Sequence, residues 1–232
     1  MVSKLKRQNS FTQIISFLLS EINPIFVQIN AMNIPLSFDT PEGLFQALEV
    51  LGIEKSIIDT ISSESSIIEI KSNQTLIKPG QVCSHLYYVL NGGFVCRYIN
   101  YEYETEKAIN FYLNDLHPFM ACLDSYFTQS PTSCELRSIS ASQVLALPKK
   151  TMDDLVLKDK NLKTLNDQLL ITALMEENDL KLKLIAYKPD ILYKYLFHEF
   201  PMLIQKVPSK YIAEFMGISA EWLSKLKSKQ QK

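Results

Sequence analysis

The stretch from Val207 to Lys227 constrains this chain more than any other. Pro208 and Ser209 signal a helix start, with Ser209 as the N-cap. Ile212, Ala213 and Met216 then repeat on one face. Gly217 breaks the run where a tight turn needs a positive φ. Ser219 caps a second short helix that would bury Leu223 and Leu226. Ala213, four residues before the glycine, is small enough for the two helices to approach closely. Two short helices around a glycine turn make a helix-turn-helix pattern.

At about 100° per residue, Glu221, Ser224, Lys225 and Ser228 share the face opposite Leu223. That face is polar and suits base edges. From Lys206 to Lys232 there are six lysines and two glutamates, whereas the whole chain has a formal net charge of −1. Positive charge is gathered at one end, so any contact with nucleic acid is local. A plain helical hairpin with a solvated basic end shares the periodicity. The joint register of apolar positions, alanine and glycine favours double-stranded DNA.

A chain of 232 residues, about half of them apolar, can hold one large or two smaller domains. Its four cysteines (Cys83, Cys96, Cys122 and Cys134) are dispersed, with no C-x-x-C pair. Reduced, buried thiols and a cytoplasmic location are therefore expected. Lys4, Lys6 and Arg7 precede an apolar run from Ile14 to Leu19, but Ser16 and Glu21 interrupt the signal-peptide pattern and no cleavage site follows. No stretch approaches the ~20 apolar residues of a membrane span.

Residues 1–62 read as an N-terminal helical segment: helix spacing over 11–29, then a helix from Pro41 to Leu51, then an apolar face at Ile57, Ile58 and Ile61. From 63 to 160 short β-type runs alternate with turns. These runs are 67–70, 75–77, 85–90, 94–100, 107–113, 134–140 and 143–147, with Lys78-Pro79-Gly80-Gln81 and Asn91-Gly92-Gly93 as turns. They predict an antiparallel roll or barrel. Within it, the segment 115–132 carries Phe119, Leu123, Tyr126 and Phe127 and is the candidate pocket lining. A long helix is predicted over 161–187, with an apolar seam through Leu162, Leu165, Leu169, Ala173, Leu180, Leu184 and Tyr187, flawed by Glu176. This seam suggests a homodimer, the alternative being packing on its own roll. Residues 188–232 hold a connecting helix and the helix-turn-helix.

A roll, a long dimer-type helix and a C-terminal helix-turn-helix together resemble the Crp–Fnr superfamily of bacterial transcription regulators, over roughly residues 63 to 229. The closest motifs are Lys78-Pro79-Gly80-Gln81 and His85-Leu86-Tyr87-Tyr88-Val89-Leu90-Asn91-Gly92; the run Val207 to Ala213 is similar to the Bacteroidetes branch. The implied fold class is α+β, with a roll of cyclic-nucleotide-binding type and no wing after the second helix. Nucleotide-binding members carry a Gly-Glu pair after a Phe and an Arg after a Pro. Here Phe119 precedes Met120-Ala121, and Pro131 precedes Thr132-Ser133. A buried cyclic phosphate would lack its charge-assisted partner. Cyclic AMP is therefore not expected; Phe119, Met120, Ala121, Leu123, Thr132 and Ser133 remain the candidate pocket for another small-molecule effector.

The resemblance also places base reading at Ala220, Glu221 and Lys225, with Ser224 beside them on the same polar face and Ser209, Lys210, Ser219 and Lys227 toward phosphates. RNA polymerase is a further partner implied by the family. No iron–sulfur cluster is expected without cysteines before Cys83, and haem through His85, His117 or Cys122 is not favoured. No cofactor or metal is identified. An enzyme of cupin type would need converging His and carboxylate ligands, which three dispersed histidines do not suggest. Asp153-Asp154 and Glu176-Glu177 read as solvated surface. The remaining alternative is a ligand-binding or interaction module whose helix-turn-helix no longer binds DNA.

Overall fold

The computed structural model describes residues 39–230. The helix expected over 11–29 and the signal-like run lie outside the described residues. Thr40 caps α1 (Pro41–Val50), its hydroxyl accepting from the Gly43 N–H at 3.2 Å, with Pro41 in the first turn where its missing N–H costs nothing. After Gly52 the chain enters α2 (Lys55–Glu64), which buries Ile57, Ile58 and Ile61.

Eight strands follow: β1 (Ser66–Ile70), β2 (Thr75–Ile77), β3 (His85–Asn91), β4 (Gly93–Asn100), β5 (Thr105–Leu113), β6 (Phe119–Met120), β7 (Cys134–Ser138) and β8 (Ser142–Pro148). They form two antiparallel four-stranded sheets, ordered β1-β8-β3-β6 and β2-β7-β4-β5. The predicted strands are present; the two-residue β6 is an addition. Gly92 makes the β3–β4 turn at φ 80°, and a Cβ there would lie 2.6 Å from the Ala141 carbonyl oxygen, so only glycine fits.

Strand alternation sorts the roll into an inside and an outside. Tyr87, Val89, Phe94, Cys96, Met120, Leu136, Val144 and Ala146 fill the space between the sheets. Tyr88, Leu90 and Leu145 face outward against Leu44 of α1. Between β6 and β7 lies a short helix, α3 (Leu123–Thr128).

After α4 (Lys149–Lys158) comes the long α5 (Lys160–Ala186), within a residue or two of its predicted span. Buried Asp159 joins three elements. Its Oδ1 accepts from the Leu162 N–H at 2.7 Å, capping α5, and its Oδ2 accepts from the Glu54 N–H at 3.2 Å, holding α2. α2 is therefore part of the sensor body: Ile57, Ile58 and Ile61 share one core with Leu147, Leu155, Leu162 and Leu165.

The last four helices are α6 (Pro189–Glu199), α7 (Pro201–Lys206), α8 (Ser209–Met216) and α9 (Ala220–Gln230). They pack together and against the roll. Val95, Ala108, Phe111 and Leu113 share a core with Leu192, Leu196, Ile212, Phe215 and Leu223.

The seam expected to pair two copies faces the chain's own cores except at exposed Ala173 and Tyr187. Leu162 and Leu165 are buried, and Leu169, Leu180 and Leu184 pack on the chain's own cores. A second apolar stripe on the opposite face (Ile171, Leu174, Met175, Leu182 and Ile185) is exposed. Both faces of α5 are apolar, so spacing alone selects neither.

Candidate nucleic-acid interface

Gly217 terminates α8 at φ 65° and ψ 30°, the left-handed conformation that glycine tolerates best. Its N–H donates back to Glu214 O at 3.2 Å and the Ile218 N–H to Ala213 O at 3.0 Å. Ser219 then caps α9, its Oγ accepting from the Trp222 N–H at 3.1 Å. Ile212, Ala213, Met216, Leu223 and Leu226 are buried as the pattern requires.

One cap differs from expectation. Pro208 takes the N-cap position of α8 and Ser209 is its first helical residue, with no side-chain capping bond. Instead the Lys227 ammonium donates to Ser209 Oγ at 2.5 Å, tying α9 to the start of α8. This bond occupies both side chains at once.

Ser209, Lys210, Ser219, Ala220, Glu221, Ser224 and Lys225 are all exposed, while Lys227 is half-buried. Lys210 Nζ lies 4.4 Å from the centre of the Tyr211 ring, a cation–π contact that steadies it. Hydrogen bonds from Ser219 and its own backbone N–H, with the Lys225 charge one turn on, hold the exposed Glu221 carboxyl below the usual carboxylate range. Trp222 is half exposed (47%) at the edge of this face.

The opposite side of α8 docks on the roll. Phe215 meets Phe111 edge to face at 5.4 Å, and Arg97 Nε donates to Glu214 Oε2 at 3.3 Å. Arg97 also donates to Glu106 Oε2 at 2.6 Å and to Glu135 Oε2 at 3.4 Å. Glu135 in turn accepts from Arg137 at 2.7 and 3.1 Å and from Thr75 at 2.9 Å. Burial alone would raise the Glu135 carboxyl, but these partners hold it below its usual value. Neither arginine nor Glu135 carried a linear signal: β4–β7 pairing brings them together.

The six candidate pocket residues are divided by the fold. Met120 is buried inside the filled roll. Thr132 is buried in the hydrogen-bonded turn around Asp124, and Ser133 is exposed. Phe119, Ala121 and Leu123 line a cavity of about 730 Å³ on the outer side, against α1, α2 and α5. Its walls are mostly apolar. At one end Asn110 Nδ2 donates to Glu177 Oε1 at 2.5 Å, and His117 Nδ1 lies 3.5 Å from Glu176 Oε2. Desolvation raises both glutamates, and the Glu177 charge raises Glu176 further; burial lowers His117 to about 4. Glu176, half-buried, and Glu177, exposed, therefore stand at the rim of the cavity. Among the described residues no helix is long and apolar enough to cross a membrane.

No family model matches the sequence, and a search of curated proteins returns no match. Solved structures do. The regulator CLP of Xanthomonas campestris superimposes with a TM-score of 0.60 at 13% identity, covering 77% of this chain and 92% of CLP. FixK2 of Bradyrhizobium japonicum gives 0.59 at 11%, covering 72% and 84%. A transcriptional regulator described as of the Crp/Fnr family, from Eubacterium rectale, gives 0.59 at 12%, covering 78% and 84%. The chain therefore has the Crp–Fnr regulator fold.

Proposed function

We propose that this protein is a homodimeric, sequence-specific DNA-binding transcription regulator of Crp–Fnr type, with no enzymatic activity. The observation that carries this reading is the exposed polar face of α9, held out by the Gly217 turn while α8 anchors it to the roll. Lys225 can donate to guanine O6 and N7, and Glu221 can accept from a cytosine amino group. Ser209, Lys210, Ser219 and Lys227 flank them at helix starts and edges, where phosphates bind. Two copies joined along α5 would present two α9 helices to a palindrome.

The effector in this reading occupies the cavity outside the roll and is not cyclic AMP. The cavity is apolar with a neutral-to-acidic end at Asn110, Glu176 and Glu177, a poor host for a cyclic phosphate. Relatives of this fold have been described as responsive to c-di-GMP and as complexed with OCPA, so effector chemistry varies on one scaffold.

Anisotropy of DNA from the protein's own promoter region, across a salt series, tests the proposal. We expect log affinity to fall steeply with log salt. Glu221→Ala and Lys225→Ala should each cost roughly 1–3 kcal/mol on the preferred sequence and far less on random DNA. Uniform loss across sequences would move those residues from base reading to phosphate contact. Absence of binding in every ligand state tested would favour the interaction-module alternative.

A further inference from the structure

The cavity outside the roll runs along α5, and its two ends differ in chemistry. Leu162, Leu165, Leu169, Ala173, Glu176 and Leu180 form its α5 wall. At ~1.5 Å per residue, Leu162 and Glu176 stand about 21 Å apart along the helix. Around Leu162 the wall is completed by buried Leu48 of α1, Ile61 of α2 and Leu147 of β8, which share one core with it. The other end is acidic. Asp115, Glu176, Glu177, Asp179 and Glu199 line the cavity, and among the described residues no lysine or arginine does. Asp179 is paired with Lys183, and Asp115 Oδ2 accepts from Lys206 Nζ at 3.0 Å. Asp115 Oδ1 is buried without a hydrogen-bond partner among the described residues. Glu176 and Glu177 have weaker company: His117 at 3.5 Å for Glu176 and the Asn110 amide for Glu177. With its pKa lowered to about 4 by burial, His117 brings no charge at neutral pH.

We propose that this cavity binds a long-chain aliphatic amine, its ammonium head at Glu176 and Glu177 and its apolar body along α5 toward Leu162. The inference rests on the reading of the cavity as the effector site and adds the class of ligand. Size and wall argue for the body. A volume of about 730 Å³ is that of a small-molecule pocket, and the end around Leu162 is walled by apolar side chains. Charge argues for the head. An ammonium supplies the counter-charge that two neighbouring carboxylates lack, and desolvation already raises both of them in its absence. Its three donors can serve carboxylates that point in different directions, as consecutive helix residues do. A carboxylate or phosphate head would meet like charge there and find no lysine or arginine on the wall. A neutral alcohol would keep the apolar contacts but not the charge-assisted hydrogen bonds.

Isothermal titration calorimetry of the full chain with decylamine, decanol and decanoate, each below its micelle concentration, tests the assignment. We expect saturable binding of decylamine, roughly tenfold or more tighter than decanol, with decanoate weakest. In the double variant Glu176→Gln with Glu177→Gln the amine should fall to the decanol level, while decanol itself binds as before. Asp167→Asn, earlier on α5 and off the cavity wall, should leave the amine preference intact. The two glutamates stand at the rim, and the wild-type series decides the question even where the double variant does not fold. Equal or tighter binding of decanol or decanoate overturns the proposal. So does amine binding that survives the double substitution, or that never saturates. Anisotropy of promoter DNA on the same protein separates this site from the regulator reading. Salt-dependent DNA binding without an amine preference would sink the ligand assignment and leave the regulator standing. An amine preference lost in the double variant, without DNA binding in any state, would keep the ligand site and sink the regulator.

Discussion

Glu135 shows how one side chain can matter without any signal in the local sequence. It is 7% exposed, and its two oxygens take hydrogen bonds from Arg97, Arg137 and Thr75. A buried carboxylate is tolerable only with such partners. Its folded pKa lies below the ordinary value of 4.5, so the charged form is stabilised by folding. The stabilisation is complete above the unfolded pKa and is lost as pH falls through the lower folded pKa. Glu135→Gln keeps the shape and removes the charge. We expect it to cost about 2 kcal/mol in urea unfolding at neutral pH, the scale of a hydrogen bond to a charged group. The gap between variant and wild type should close below pH 4.5. A pH-independent gap would assign the loss to packing instead of charge.

At the scale of elements, the contact that couples the C-terminal helices to the roll runs between α8 and β5. Phe111 contributes from the roll side and is 2% exposed, sharing one core with Phe215, Ile212 and Leu196. Phe111→Ala should cost about 3 kcal/mol. Because the helix-turn-helix keeps its own residues, amides in α8 and α9 should lose hydrogen-exchange protection before those in β3 and β8 do. Equal loss everywhere would mean one indivisible folding unit. Such couplings explain what the sequence could and could not disclose. β3, β4 and β5 were legible because apolar runs end at turn residues with a φ requirement, as at Gly92. β6 and α3 were not: two to six residues carry no period. The helix-turn-helix was legible because its buried set, its glycine and its Ser219 cap lie within one short stretch. The outward turn of Phe119 and the desolvation of Glu176 and Glu177 depend on strand pairing and on helices far along the chain. No spacing rule reaches those.

For the whole molecule, the unpaired face of α5 is the feature a lone chain leaves unexplained. Ile171, Leu174, Asn178, Leu182 and Ile185 are separated by three or four residues and fall on one side, and the four apolar members are 57–78% exposed. Such a stripe on an isolated helix would stay in water at a cost of about 25 cal/mol per Å². Against a second copy it forms a coiled-coil seam, and Asn178 in its middle suits a polar position that fixes register. Dimerisation here would also set the spacing of the two α9 helices, since α5 leads directly into the C-terminal helices. Half-sites about 34 Å apart are then expected. Leu174→Glu with Ile185→Glu tests this at little risk to the fold, because both side chains are exposed in the single chain and surface changes usually stay within about 0.5 kcal/mol. Sedimentation should show a monomer where wild type is a dimer, and affinity for a palindrome should fall toward that for a half-site. A variant that remained dimeric would place the interface elsewhere, and the bare stripe would then need a different partner.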